Sequence, residues 1–454
     1  MDRKYLGQLF SLALPIIAQQ FITSSLTLVG GVMVGQLGEV SVASVGLANQ
    51  VSMLLFFMLF GITSGCAIFT AQYWGKQDVT SVRKVLGISL TMALTGSSVF
   101  TLIALLIPRT AISLYTSDPQ VIALGSQYLR ILGLNFIATS ITLSFSAVAR
   151  SVGQVRVPML ASMVALVFNT GMSYILIFGK LGMPALGALG IGWGTTLSRF
   201  VELGILLILL YSRRSPVAAR PRDLIYDKQF FRRVISRALP VALNEFLWSL
   251  GVNMYILVYA RISTEAVAAV NILGTIEGLA FTIFLGISEG CSILVGNRIG
   301  AGEEKTAYRY ARNSILLATV GAILVGILLA ALADPILSLY KVSPLVKEYA
   351  QRIFLAFGLT LWVRVSNLVI FVGILRSGGD TRFAFIVDAS SVWFVGVPIA
   401  LVAAFVFHQP VYIVYLMVAL EEVVKYLIGL ARFRSRKWIN NVTQAAQTDA
   451  IQIT

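Results

Sequence analysis

A chain of 454 residues that is 57% hydrophobic and 12% charged, with mean hydropathy +0.85, cannot hide its apolar residues in a soluble core, because soluble domains carry about 25% charged residues. Its formal net charge of +15 would suit nucleic acid, but the placement of the basic residues marks a membrane topology instead. A single histidine and two cysteines exclude a histidine metal cluster, and the cysteines read as small packing residues.

Twelve apolar spans are predicted, at roughly 10–36, 43–72, 85–107, 121–149, 157–179, 187–211, 236–260, 266–294, 311–333, 346–375, 383–406 and 410–431. Most exceed the ~20 residues that cross a bilayer as a helix. The first follows Arg3-Lys4, contains Pro15 and has no small-x-small site close behind it. It reads as an uncleaved helix, not a signal peptide. Span two carries Gly61-x-x-x-Gly65 and Cys66, and span six carries Arg199 with Glu202 at i,i+3. A basic linker with Pro216 and Pro221 follows span six. Span seven holds Pro240, Asn244, Glu245, Trp248 and Tyr255, and span eight holds Asn271, Glu277, Gly286-x-x-x-Gly290 and Cys291. Pro240 is expected to bend its helix and free carbonyls beside Glu245. Arg364 lies in span ten, Asp388 in span eleven, and Glu421, Glu422 and Lys425 in span twelve. The i,i+3 and i,i+4 spacings of that last trio suit a local ion pair on the helix surface. The stretch after Trp438 is polar and is expected to be disordered.

The chain repeats itself. An offset of 225 maps Ser113-Leu114-Tyr115 onto Ser338-Leu339-Tyr340, Pro15 onto Pro240, Gly61 onto Gly286, and Gly65-Cys66 onto Gly290-Cys291. An offset of 226 maps Arg150-Ser151-x-Gly153-x-x-Arg156 onto Arg376-Ser377-x-Gly379-x-x-Arg382. The predicted organisation is a first lobe over 1–212, a linker over 213–233, a second lobe over 234–435 and a tail over 436–454. Six spans per copy make both copies enter the membrane from the same side, so their pseudo-two-fold runs along the membrane normal. Twenty-five of the 35 Lys and Arg fall on one side of the spans and five on the other. That bias puts both termini and the linker in the cytoplasm of a multi-pass protein of the cell membrane. The Arg residues of the two RSxGxxR stretches are expected to anchor helix ends at the anionic leaflet. The recurring GxxxG spacing is expected to bring helices close.

Broken symmetry marks the candidates for chemistry. The second copy has Glu245 where the first has Gln20, Glu277 for Ser52, Glu289 for Ser64 and Asp388 for Ser162. A charge at a helix centre in a bilayer costs ~2.5–3.5 kcal/mol on translocon scales, so such acids face protein or water and an ion pathway is their default reading. Glu245, Asn244 and Asp388 are the candidate coupling site, with Glu245 as the ligand if the ion is Na⁺ and as an acid with a raised proton affinity if it is H⁺. Alternatively Glu245 is a buried carboxylate neutralised by a nearby Arg. Glu277, Asn271, Glu289, Arg364, Trp248 and Tyr255 are candidate pathway residues. Arg364 lacks an acid on its own helix and is expected to face Glu245 or Asp388. No GxxxxGK[ST] phosphate loop and no Ser-His-Asp set occurs, so neither an ATP motor nor an enzyme is expected.

The ordered strings Met33-Val34-Gly35-Gln36-Leu37-Gly38, Ala48-Asn49-Gln50, Ala238-Leu239-Pro240-Val241-Ala242-Leu243-Asn244-Glu245, Gly296-Asn297-x-Ile299-Gly300-Ala301-Gly302, Leu375-Arg376-Ser377-Gly378-Gly379-Asp380-Thr381 and the Asp388/Trp393/Pro398 set span nearly the whole chain. Together they resemble the multidrug and toxic compound extrusion (MATE) transporters. The resemblance implies an all-α membrane protein with two six-helix lobes around a central cleft. It also implies Na⁺- or H⁺-driven antiport of organic, often cationic compounds, with a key acid in span seven that matches Glu245. Many relatives carry an Asp near the end of span one in a pattern like V-D-T-x-M-V-G. Here Val29-Gly30-Gly31-Val32-Met33-Val34-Gly35 puts Gly30 in its place, so any coupling falls to the second lobe. The expected partners are a small organic substrate, a monovalent cation or proton and the lipid bilayer, with no cofactor, no nucleic acid and a monomeric protein. A flippase for a lipid-linked or peptidic metabolite is the alternative transport reading. A non-transporting receptor or scaffold is the third, and the midplane acids and near-intact repeat argue against it.

Overall fold

The computed structural model describes residues 3–340 and 342–444, and every regular element among them is helical. With no water in a bilayer core to satisfy backbone groups, helices are the solution for continuous apolar segments such as these. The helices are α1 Arg3–Gly35, α2 Glu39–Gly75, α3 Val79–Leu106, α4 Pro108–Ser113, α5 Pro119–Gly133, α6 Phe136–Ser151, α7 Arg156–Phe178 and α8 Ala188–Ser212 in the first copy. The second copy has α9 Lys228–Ile262, α10 Thr264–Gly300, α11 Glu304–Ala331, α12 Ala333–Ser338, α13 Pro344–Asn367, α14 Thr381–Ser390, α15 Val397–Leu401 and α16 Val411–Arg434. Both ends of α2, α3 and α4 recur in α10, α11 and α12 at the offset of 225 that the sequence shows.

Ten helices among the described residues are long and apolar enough to cross a membrane, or eleven if α5 and α6, bent by 46°, form one span. The remaining predicted span is α16, 24 residues long, which carries Glu421, Glu422 and Lys425. The α5–α6 break at Leu134-Asn135 is satisfied locally. Thr196 donates its hydroxyl to the Ile131 carbonyl at 2.9 Å, and the Asn135 amide donates to Thr196 at 3.0 Å. Pro15 and Pro240 both sit inside continuous helices, α1 and α9.

The described residues form two compact units. One runs from Ala18 to Ala242; the other takes the residues up to Ile17 together with those from Leu243 onward. The boundary passes through the middle of α1 and of α9, and not through the linker at 213–233 as the predicted division has it. The glycine pairs explain this. A Cβ on Gly61 would lie 2.5 Å from Ala242 Cα, and one on Gly65 would lie 2.5 Å from Ala238 Cα, so α2 packs backbone to backbone on the start of α9. In the other unit Gly286 meets the Ala13 carbonyl and Ile17 backbone, so α10 packs on the start of α1. The linker is itself docked. Arg83 reaches Asp223 at 2.9 Å and the Pro216 carbonyl at 3.0 Å, and Val217 and Ala219 are buried.

The segment after α16 is also ordered over 436–444, against the expectation of a disordered tail; 445–454 lie outside the described residues. Trp438 is fully buried, stacks on Phe433 and donates its indole N–H to the Phe433 carbonyl. Gly378 has no room for a Cβ beneath it, the nearest atom being the Trp438 carbonyl oxygen at 2.3 Å. Asn441 donates its amide to the Ile299 carbonyl at the end of α10. A tail this apolar at its anchor buries enough surface to offset its ordering.

Gly61→Ala should cost about 2 kcal/mol by overpacking the α2–α9 crossing, whereas Gly171→Ala, where a Cβ meets nothing within 4 Å, should be neutral or slightly stabilising. Thermal midpoints of the two purified variants in detergent compare them directly.

Candidate functional site

Three of the acids that break the repeat, Glu245, Glu277 and Asp388, are each met by a partner from another helix or turn in the unit that contains α10 to α16. Asn244 on α9 donates its amide to Asp388 Oδ2 on α14 at 2.8 Å. Lys425 on α16 closes on the other oxygen, with Nζ 2.9 Å from Asp388 Oδ1. The same ammonium lies 3.2 Å from Glu422 Oε2 and 3.6 Å from Glu421 Oε1. Tyr255 on α9 donates its hydroxyl to Glu421 Oε2 at 2.9 Å, and Asn367 at the end of α13 donates to Glu422 Oε2 at 2.6 Å. Asp388, Glu421, Lys425 and Asn244 are all buried.

Local backbone geometry serves this cluster. Three π-helical segments occur in this unit, at Leu368–Leu375, Ser391–Gly396 and Val402–Val406. Asn367 immediately precedes the first and Arg376 immediately follows it; Asp388 lies just before the second. π-helical turns within longer helices are frequent at functional sites because they re-aim side chains. Gly396, at the end of the second, has no side chain because the Tyr255 hydroxyl and Glu421 Oε2 occupy that space.

Glu245 is held by Arg376, whose NH1 lies 2.7 Å from Glu245 Oε1 with both side chains largely buried. The geometry is that of the neutralised carboxylate. Arg376 therefore points into the helix bundle and is not the leaflet anchor predicted from its RSxGxxR stretch; a buried acid within reach outweighs the anionic surface. Gly379 of that stretch does turn the chain as expected, at φ 78°, matched by Gly153 at φ 82°. The predicted partner of Arg364 is corrected too. Arg364 pairs with Glu277 on α10 at 2.9 Å and lies 5.0 Å from the Tyr415 ring centroid, because α10 presents Glu277 to the last turn of α13. The trio on α16 is not an exposed surface pair: its lysine turns inward to Asp388.

The other candidates lie apart from the cluster. Asn271 and Trp248 are exposed, and Glu289 is half-buried on α10. Cys66 and Cys291 are buried free thiols. No group of three metal-ligating residues occurs among the described residues.

The other unit repeats the frame with a single self-contained ion pair in place of the acid cluster. Gln19, 225 before Asn244, donates its amide to Ser162, which stands 226 before Asp388. Ser162 donates to Glu202, which pairs with Arg199 at 2.7 Å; Arg199 stands 226 before Lys425. Arg150, 226 before Arg376, donates to Gln19 at 3.4 Å. In the second copy five carboxylates (Glu245, Glu277, Asp388, Glu421 and Glu422) meet three basic groups (Arg364, Arg376 and Lys425), leaving two negative charges over. Among the described residues of that copy, the buried Asn244 Oδ1, Asn367 Oδ1 and Glu421 Oε1 of the cluster lack a hydrogen-bond partner, as do Asn297 Oδ1, Thr381 Oγ1, the Tyr415 hydroxyl and Arg364 Nε outside it. Of the five acids Asp388 and Glu421 are buried and the other three half-buried, and a surplus of such carboxylates with unmet acceptors is chemically a receptor for a proton or a small cation.

Comparison with known proteins fits this arrangement. The MatE family model matches residues 15–175 and 240–402, one copy of the repeat in each match. The chain therefore belongs to the MatE family of multidrug efflux transporters. It is 25% identical over 433 residues to the probable multidrug resistance protein NorM of Thermotoga maritima, covering 95% of this chain and 92% of that protein. It is 25% identical over 403 residues to the multidrug resistance protein PmpM of Pseudomonas aeruginosa, covering 87% and 83%. Among solved structures, an outward-facing multidrug resistance MATE family transporter of the MOP superfamily superimposes with a TM-score of 0.83 at 20% identity, covering 95% and 96% of the two chains.

Arg376→Leu should strand the Glu245 carboxylate and cost about 3–5 kcal/mol, while the double variant Arg376→Leu with Glu245→Leu should recover most of that loss. A double-mutant cycle on thermal midpoints reads the difference.

Proposed function

We propose that this chain is a secondary active antiporter that exports amphipathic, often cationic organic compounds in exchange for Na⁺ or H⁺. The observation that carries the reading is the surplus of buried and half-buried carboxylates over basic partners in one copy of the repeat, in a chain of a multidrug efflux family. Relatives named as multidrug resistance proteins support the substrate class. Asp388, Glu421 and Glu245 with Asn244 would hold the exchanged cation, and Glu277 with Arg364 would lie beside its path.

The physical logic is one of linkage. Two uncompensated negative charges in a low-dielectric interior are costly, so the unit binds a cation or distorts to reach water. A cation drives transport only as far as its affinity differs between the states open to either side. The duplicated halves supply the two states by alternating access. The 25-to-5 bias of basic residues places both termini in the cytoplasm, and the protein acts as a monomer in the cell membrane.

Asp388→Asn and Glu245→Gln should each fold yet lose gradient-driven efflux, falling to the rate of protein-free vesicles. The measurement is efflux of a fluorescent organic cation from proteoliposomes under imposed Na⁺ or pH gradients. Wild-type rates from both well-reconstituted variants would refute the assignment.

A further inference from the structure

We propose that Lys425 is a built-in cation that sets the choice of coupling ion: its ammonium occupies the place a transported Na⁺ would take, so the site exchanges protons. The inference rests on the antiport reading above and names its ion.

The geometry of the ammonium carries the argument. Nζ is shared by three carboxylates from two helices, at 2.9 Å from Asp388, 3.2 Å from Glu422 and 3.6 Å from Glu421. A compact point charge with oxygen around it is how a lysine substitutes for a bound monovalent cation. Lys425 is 5% exposed, so no screening by water would let a second cation share these oxygens. Na⁺ could bind there only by displacing a side chain fixed to the same helix as two of its three acids.

The ammonium does not finish the neutralisation. Its single charge faces three carboxylates. The other basic groups nearby are committed, Arg376 to Glu245 and Arg364 to Glu277 of α10. The remaining titratable neighbours, Tyr255 and Tyr259 on α9 and Tyr415 on α16, bring hydroxyls and no positive charge. Negative charge therefore remains around a filled cation position, and what can still be added is a proton. The unpartnered buried atoms agree. Among the side chains that surround the ammonium, Glu421 Oε1, Asn367 Oδ1 and Asn244 Oδ1 are unmet acceptors, whereas the unmet Tyr415 hydroxyl and Arg364 Nε belong to the neighbouring Arg364–Glu277 pair. Glu421 is the designated carrier. One of its oxygens accepts from Tyr255 at 2.9 Å, while the other has only the most distant of the three contacts with the ammonium. On proton uptake Glu421 becomes a neutral carboxylic acid and the cluster loses one negative charge. On release the proton leaves to the opposite side and the charge returns.

The full-length protein in proteoliposomes, loaded with ethidium at clamped membrane potential, tests this. A pH gradient at equal Na⁺ should drive efflux, and a Na⁺ gradient at equal pH should leave it at the level of empty vesicles. Efflux driven by Na⁺ alone would overturn the ion assignment and leave the antiport reading standing. Efflux driven by neither gradient would overturn both. In detergent, wild type should show no saturable ²²Na⁺ binding, and Lys425→Met should gain binding at least tenfold above it. Lys425→Arg should keep proton-driven efflux and gain none. Saturable Na⁺ binding by wild type, or none by a folded Lys425→Met, would contradict the proposal. If Lys425→Met does not fold, the wild-type gradient and binding measurements decide.

Discussion

The ammonium of Lys425 draws Asp388, Glu421 and Glu422 around a single charge, and the rest of the second unit is arranged to tolerate the result. Removing a carboxylate from water costs several kcal/mol even after relaxation, and one cation cannot repay three of them. The unit answers with short-range devices. Asn244 and Asn367 donate amides, Tyr255 donates a hydroxyl, and Gly396 gives up its side chain to let that hydroxyl in. They come from α9, α13 and the π-helical segment after α14, so with Asp388 and Lys425 the cluster fixes the mutual placement of α9, α13, α14 and α16. An arrangement that stays short of positive charge after all this is poorly explained as a stability device and well explained as a site that must bind and release.

Duplication supplies the frame in which that imbalance can be seen. The matching helix ends, the matching glycine crossings and the matching amide contacts at Gln19 and Asn244 show one scaffold used twice. In the first copy the hydroxyl of Ser162 stands where the second has the carboxylate of Asp388, and the ion pair of Arg199 with Glu202 is complete in itself. Scaffold and charge have thus diverged independently. Helix packing depends on small residues that tolerate little change, whereas a polar position between helices tolerates either a hydroxyl or an acid if its neighbours compensate.

The fold was legible in the sequence because it rests on signals of long range along the chain: continuous apolar runs, the side of the basic residues, and a repeat that preserves proline and glycine positions. Glu245, Glu277 and Asp388 were legible for the same reason, as departures from the repeat, whereas the spacing of Glu421 and Glu422 suggested only a local pair with Lys425. The pairings were not. Arg376 finds Glu245 131 residues away and Arg364 finds Glu277 87 residues away, and nothing local in either helix announces those partners. Lys425 looked satisfied by Glu421 and Glu422 on its own helix, which hid its reach to Asp388. The cost of three charges in one membrane helix was the available clue that they face inward. Within the tail, the described stretch 436–444 was misread because its polar composition outweighed one tryptophan, yet Trp438 is what anchors it.

Proton exchange at the Lys425 cluster is tested most directly by following pH in weakly buffered detergent solution while a permanently charged organic cation such as tetraphenylphosphonium is added to the purified protein. Release of about one proton per protein molecule on substrate binding, absent when Glu421 is replaced by Gln, is the result this account requires. Saturable substrate binding with no proton displaced over the working pH range would contradict it.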